Sequence, residues 1–286
     1  MPIDPALAIG AELPPREFAW TASDVLLYHL ALGAGRDPMD PRELRYATEK
    51  DLQVLPTFAV VAPTVTVFEP PSVEYPGISI DLARVLHASQ RIDLHRPLPT
   101  GGSGRSVTRV ADVHDKGSAA VIVTETQVTD ASGEPLWTNT SSIFARGEGG
   151  FGGERGPSGP GAPPDREPDA VLVTTTLPQQ ALWYRLLGDR NPLHSDPSFA
   201  QGAGFPRPIL HGLGTYGMVC KALVDAELGG DTTRVRAFAA RFAGVVFPGE
   251  TLRTSVWRED DRLAFVTTVD ERDGAAALSG GELVIG

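Results

Sequence analysis

Apolar and polar positions along the chain switch between helical and strand-like spacing, and the order in which they do so occurs twice. TASDVLLYHLALG (21–33) predicts a short helix capped by Thr21 and ended by a glycine. TLPQQALWYRLLG (176–188) predicts another, with Thr176 and Gln179 at capping-box spacing and Pro178 in the first turn. Each half then carries a longer apolar helix pattern, over GISIDLARVLHA (77–88) and HGLGTYGMVCKALVDAEL (211–228). In the second of these Tyr216, Val219, Leu223 and Val224 recur at helical spacing. Strand-like stretches running into Pro-Gly-type turns follow at 87–102 and 237–252. Paired β-rich runs joined by a polar, glycine-containing turn come last, at 121–145 and 263–285, as in hairpins.

Between the two copies lies GEGGFGGERGPSGPGAPPDREPD (147–169), almost wholly glycine, proline and charge, with too little apolar surface to fold by itself. It reads as a linker between an N-terminal unit, 1–146, and a C-terminal unit, 170–286. One central helix with an antiparallel sheet around it, formed twice, is the simplest packing of this order, an α+β fold produced by duplication.

Composition narrows the function. With 286 residues and 41% hydrophobic content the chain can build a sizeable core, and its formal net charge of -11 argues against nucleic acid or an anionic membrane as a partner. An anionic ligand must be met by local arginines. The start, MPIDPALAIGAELPPREF, lacks the basic and apolar order of a leader, and no apolar run reaches the roughly 20 residues of a membrane span. A cytoplasmic location is expected. The single cysteine, Cys220, lies in a helical pattern and is expected to pack there.

The halves differ most in GDRNPLH (188–194), for which the first half has GAGRDPMDPRELRYATEK. Gly188 is suited to end a helix in the left-handed conformation, and Asn191-Pro192 forces extended or turn backbone, so Asp189 and His194 belong on a rigid loop where their side chains can converge. A carboxylate and an imidazole facing one water can move a proton on and off a substrate. Turn formation alone also accounts for Asp189 and Asn191, with His194 as a hydrogen-bonded loop histidine. A metal site of Asp189, His194 and Asp196 is a further alternative, poor in histidine and cysteine. Further on, GFPRPIL (204–210) leads to HGLG at the start of the long helix, where N–H groups lack intrahelical partners and Gly212 leaves room for a carbonyl oxygen. Such a site stabilises charge developing on a thioester oxygen. Close packing of the helix start is the other explanation for that glycine.

Tyr184, Gly188, Asp189, Asn191, Pro192, Leu193, His194 and Ala200, with PILHG (208–212) and FPGETL (247–252), resemble the signature of the (R)-specific enoyl-CoA hydratases, or MaoC-like dehydratases. The whole length, apart from the linker and extreme termini, resembles their two-domain form, through DPMDPRELRYATE (37–49), LPTFAVV (55–61) and PGISIDLARVLHASQ (76–90). The resemblance implies a double hotdog, with a degenerate N-terminal copy that widens an acyl tunnel and a catalytic C-terminal copy. It places the family's aspartate and histidine on Asp189 and His194, its orienting asparagine on Asn191 and its oxyanion amide on Gly212. In that scheme His194 activates water for attack at C3 and Asp189 exchanges the C2 proton; the reverse assignment stays open, since both groups can hold the same water.

Glu49 matches an implicated glutamate, for which bracing the domain junction is an equal explanation. Arg207 and Arg190 are candidates for the phosphates of CoA, and Tyr184 for a tunnel wall. No metal or cofactor is implied, CoA thioester being the substrate, and a homodimer is expected. Medium- or long-chain, branched or steroid side-chain acyl groups suit a widened tunnel, in β-oxidation. A dehydratase acting on acyl carrier protein would use the same chemistry. A non-catalytic thioester-binding subunit fits less well with Asp189, His194 and Gly212 in one chain, and a thioesterase would need a carboxylate at the carbonyl carbon.

Overall fold

The computed structural model describes residues 3–65, 67, 74–80, 85–157 and 163–286. The first half comprises α1 (Pro5–Ala8), β1 (Arg16–Trp20), α2 (Ala22–Ala31), α3 (Pro41–Ala47), a 3-10 turn at Pro56–Val60, the short β2 (Glu74–Tyr75) and β3 (Ile78–Ser79), and four long strands. These are β4 (Val85–Leu94), β5 (Gly102–Asp115), β6 (Ala119–Thr129) and β7 (Pro135–Arg146). The second half comprises β8 (Ala170–Thr175), α4 (Gln180–Tyr184), α5 (Pro197–Gly202), α6 (Gly212–Leu228), β9 (Val235–Phe242), β10 (Thr251–Arg258), β11 (Arg262–Val269) and β12 (Ala275–Ile285).

Ten strands form one sheet in the order β1-β5-β6-β7-β4-β9-β12-β11-β10-β8. Outward from the central β4–β9 pair, the two halves have corresponding strand orders, 4-7-6-5-1 and 9-12-11-10-8, which is the duplicated plan in hydrogen bonds. The central pair is antiparallel, from Ser89 opposite Arg241 to Asp93 opposite Ala237. Both expected hairpins form, β6–β7 and β11–β12.

α6 is buried almost all round, through Tyr216, Met218, Val219, Cys220, Leu223 and Val224. A helix apolar on every face belongs inside a core, and this one shares a cluster with Trp20, Tyr28 and Phe58 of the first half and Phe238, Phe265 and Leu283 of the second. Burial pushes the Cys220 thiol up to about 12, so it stays protonated and packs. Lys221, also on α6, is held by Glu43 of α3 at 2.8 Å and by Asp225 at 2.9 Å, and the Tyr46 hydroxyl donates to Asp225 at 2.8 Å.

Three expectations change. The helix expected over 77–88 is strand at both described ends: Ile78 and Ile80 are buried around an exposed Ser79, and β4 begins at Val85; residues 81–84 lie outside the described residues. Thr21 does cap α2, with Asp24 completing a capping box, but α4 has no such box. The Thr176 hydroxyl donates to the Glu250 carbonyl and accepts from Gly249 N–H, so the helix starts four residues later, and the Gln180 amide bonds the Ala31 carbonyl of α2 at 2.8 Å. The stretch 147–157, read as linker with too little apolar surface to fold by itself, is partly anchored. The Asp115 carboxylate accepts from the N–H groups of Gly150 and Gly152 at 2.9 and 2.8 Å, and Phe151 packs against a second core cluster around Val110 and Ile122. Here a carboxylate satisfies glycine backbone that has little side-chain surface to bury. Residues 158–162 of the linker lie outside the described residues.

Candidate active site

α4 continues through a 3-10 turn, Arg185–Leu187, and stops at Gly188, whose φ of 110° is left-handed as a helix C-cap requires. The next six residues, 189–194, turn back on themselves. The Asn191 N–H donates to Asp189 Oδ1 at 3.2 Å, and the Asn191 side-chain oxygen accepts from Leu193 N–H at 3.0 Å, capping a 3-10 turn over Pro192–His194. Asn191 therefore both forms the turn and holds the carboxylate. His194 ends that turn instead of standing on non-helical backbone.

His194 Nε2 lies 4.0 Å from Asp189 Oδ2. The His194 side chain is 10% exposed and that of Asp189 41%, so the imidazole is sheltered while the carboxylate reaches solvent. His194 Nδ1 is 2.9 Å from the Ile209 carbonyl oxygen, which can only accept, so Nδ1 carries the hydrogen and Nε2 presents a lone pair toward Asp189. Burial lowers the His194 pKa below the ordinary 6.5, with the Asp189 charge pulling it back. Such a pair is equipped to take a proton from a water between its members.

Gly212 opens α6, where its N–H has no intrahelical acceptor. A Cβ at this position would lie 3.1 Å from the Phe242 ring, so close packing also favours glycine. On the other side of Phe242 stands His87 of β4, ring centroids 4.6 Å apart. Its Nε2 contacts the Ser89 carbonyl and the Ser141 hydroxyl, each at 3.0 Å, and burial pushes its pKa down to about 4.

Other candidates are placed less centrally. Tyr184 is fully buried, its ring 4.8 Å from that of His211 and 6.3 Å from that of Tyr28, as a wall would be. Arg190 is half-buried on the Asp189 loop. Arg207 is exposed, with its guanidinium 3.0 Å from the Pro248 carbonyl and over the face of Phe247. Glu49 is exposed beyond α3; Glu43, within α3, is a glutamate that does tie the halves together, through Lys221. Asp196 is exposed and caps α5, which removes it from any metal set with Asp189 and His194. Among the described residues, Asp189, His194 and His211 bring potential ligand atoms within 4.8 Å of one another.

His211 escaped the sequence reading. It is 1% exposed and stacks on His194 with ring centroids 3.7 Å apart. A local signal existed: the N-cap of a 17-residue helix is occupied by a histidine that makes no capping bond, where Ser, Thr, Asp or Asn is usual. His87 had no such signal, because only the β4–β9 pairing brings it near.

A duplicated sheet plan around one buried helix, with an acid–base pair beside that helix's N-terminus, defines a double-hotdog lyase. Residues 18–147 match the MFE-2 hydratase 2 N-terminal domain and residues 160–277 the MaoC like domain. The chain is 59% identical over 284 residues to enoyl-CoA hydratase ChsH3 of Mycobacterium tuberculosis, covering 99% of each. The crystal structure of a MaoC-like dehydratase from Phytophthora capsici superposes with a TM-score of 0.88 at 32% identity, over 99% of this chain and 98% of that one. The M. tuberculosis protein RV0216, with a double hotdog fold, superposes at 0.59 and 15% identity over 98% and 97% of the chains, a likeness of fold alone. The chain belongs to the MaoC-like hydratase 2 family.

Proposed function

We propose that the protein catalyses reversible syn hydration of trans-2-enoyl-CoA to (3R)-3-hydroxyacyl-CoA. The observation that carries this reading is the His194 Nε2 lone pair facing the Asp189 carboxylate across 4.0 Å, within reach of one water, beside the free end of α6. Water gives a proton to His194 Nε2 and its oxygen bonds to C3. That proton passes from His194 to the Asp189 carboxylate, which delivers it to C2, so the dyad ends as it began. Charge gathered on the thioester oxygen is received by the Gly212 N–H. The chemistry needs proton transfer and a hydrogen-bond donor only, so the reading includes no metal or cofactor, and activity is expected to survive EDTA.

The likeness to ChsH3, named an enoyl-CoA hydratase, supports this activity and a β-oxidation role. In this reading residues 170–286 carry the catalysis, 1–146 shape the acyl site and 147–169 connect them. Among the described residues the first half has no counterpart of α6, which favours medium- or long-chain, branched or steroid side-chain acyl groups. With a net charge of -11 an anionic CoA must be met locally, and Arg190 and Arg207 are the cations this reading assigns to its phosphates; an acyl carrier protein thioester is the alternative substrate. No helix among the described residues is long and apolar enough to cross a membrane, in keeping with action in the cytoplasm. A homodimer is consistent with edge strand β8, where Val171 and Val173 are 46% and 58% exposed.

The test is loss of enoyl-thioester absorbance with trans-2-enoyl-CoA of rising chain length, with chiral analysis of the product. Asp189→Asn and His194→Ala are each expected to lower kcat roughly 100- to 10,000-fold. Tight thioester binding without turnover at any chain length would refute the hydratase reading.

A further inference from the structure

The segment Ile209–Gly212 touches every part of the proposed machinery. The Ile209 carbonyl fixes the tautomer of His194, and Gly212 presents the helix-end N–H. Between them His211 lies flat on the His194 ring, 3.7 Å between centroids and 27° between planes, while the Tyr184 ring stands 4.8 Å from it. Gly214, three residues on, faces the same Tyr184 ring, which a Cβ there would meet at 3.4 Å, an ordinary packing distance.

His211 Nε2 is 3.2 Å from the main-chain oxygen of Asp189. A carbonyl only accepts, so Nε2 carries the hydrogen, and the buried Nδ1, which has no hydrogen-bond partner among the described residues, is a bare lone pair. The groups facing the ring are His194 and Asp189 of the loop, Arg185 and Tyr184. Burial and then His194 press its pKa well below 6.5, the Asp189 carbonyl opposes them weakly, and the charge of Arg185 presses the same way. The ring stays neutral, and a neutral ring can stack on a second imidazole without repelling it.

We propose that His211 is a positioning residue of the hydration: its stack sets the plane of His194, and its Nε2–H bond to the Asp189 carbonyl sets the reach of the carboxylate. The proposal rests on the hydratase reading. Both members of the dyad are thereby registered to the peptide that presents the Gly212 N–H, so that base, carboxylate and oxyanion donor keep one geometry although the first two come from a loop. Error in that geometry appears in the transition state more than in substrate binding, because proton transfer and the charge on the thioester oxygen develop only there.

His211→Phe keeps a ring between Tyr184 and His194 but loses the donor; His211→Gln keeps an amide donor near the Nε2 position but loses the stack. In the hydration assay His211→Phe is expected to lower kcat about 10- to 100-fold with KM changed less than about threefold, and His211→Gln to recover part of kcat. Unfolding midpoints measured beside the kinetics separate packing from positioning. Wild-type kcat in both variants, or losses that only follow the midpoints, would overturn the proposal. Should either variant fail to fold, nitrogen NMR of the wild-type protein still decides it. A bare Nδ1 and a protonated Nε2 at His211 throughout the active pH range are expected, and an Nδ1–H tautomer or an imidazolium there would overturn it. This readout needs no turnover, so a wild-type protein inactive on enoyl-CoA would sink the hydratase reading while the NMR result still stood on its own.

Discussion

At Gly188 the backbone φ of 110° excludes most side chains, and an added Cβ would fall 2.1 Å from the Thr64 carbonyl oxygen of the first half. Strain and overlap act together there, so Gly188→Ala is expected to cost roughly 2–4 kcal/mol in urea unfolding and to displace Asp189, the next residue. Asp115 poses the opposite problem, one side chain serving many donors. Asp115→Ala leaves the Gly117, Gly150 and Gly152 N–H groups without their acceptor and is expected to cost about 1–3 kcal/mol; limited proteolysis should then cut first within 147–157. His194 gives a prediction for catalysis. Its lowered pKa keeps the imidazole neutral below the ordinary 6.5, so the acid limb of kcat/KM should fall below pH 6.5; a limb above that value would assign the base elsewhere. Asp189, Asn191 and His194 were legible in the sequence because one six-residue turn brings them together. His211 stands 17 residues beyond His194 and meets it only through the tertiary fold, so spacing could not have paired them.

Among the elements, α6 was the easiest to foresee and the segment 77–88 the hardest. Both carry apolar residues at helical intervals, but in ISI the apolar residues also alternate with a polar one, and short runs satisfy both periods. The core decides between them. α6 shares one cluster with both halves, and Pro56–Val60 of the first half packs its Phe58 into that cluster. The first half also reaches α6 through charge. Lys221 is 11% exposed and holds Glu43 and Asp225, which are 23% and 29% exposed. Replacing Lys221 with Met would leave two half-sheltered carboxylates facing each other, and a loss of about 1–3 kcal/mol is expected. Glu43→Gln should lose less, since an amide oxygen can still accept from the ammonium. Equal losses in the two variants, measured by denaturant midpoint, would mean that the Glu43 charge carries the whole contribution and the bond to Asp225 adds nothing.

Across the whole molecule four sheltered histidines, His29, His87, His194 and His211, link stability to pH in one direction. His29 is fully buried, with Nδ1 3.0 Å from the Tyr46 carbonyl and Nε2 accepting from the Leu55 N–H at 3.2 Å. Protonating Nε2 would set one donor against another, and burial takes the His29 pKa down to about 3. Burial takes His87 down to about 4 and lowers His194 and His211 as well. In the unfolded chain all four bind a proton near pH 6.5, so as pH falls below that value the unfolded state takes up protons that the folded state refuses. Each such histidine should therefore remove about 1.4 kcal/mol of stability per pH unit until its own folded pKa is reached. Carboxylates with lowered pKa, such as Asp115 and Asp270, lose their contribution only below the ordinary carboxylate range, leaving the interval from pH 6.5 to about 4 to the histidines. Urea midpoints at pH 7, 6 and 5 should drop steadily, and His29→Gln should flatten the slope by one proton's worth even if it lowers the midpoint throughout. An unchanged slope in that variant would show that His29 takes up its proton in the folded protein, and with it that the Leu55 N–H can find another acceptor.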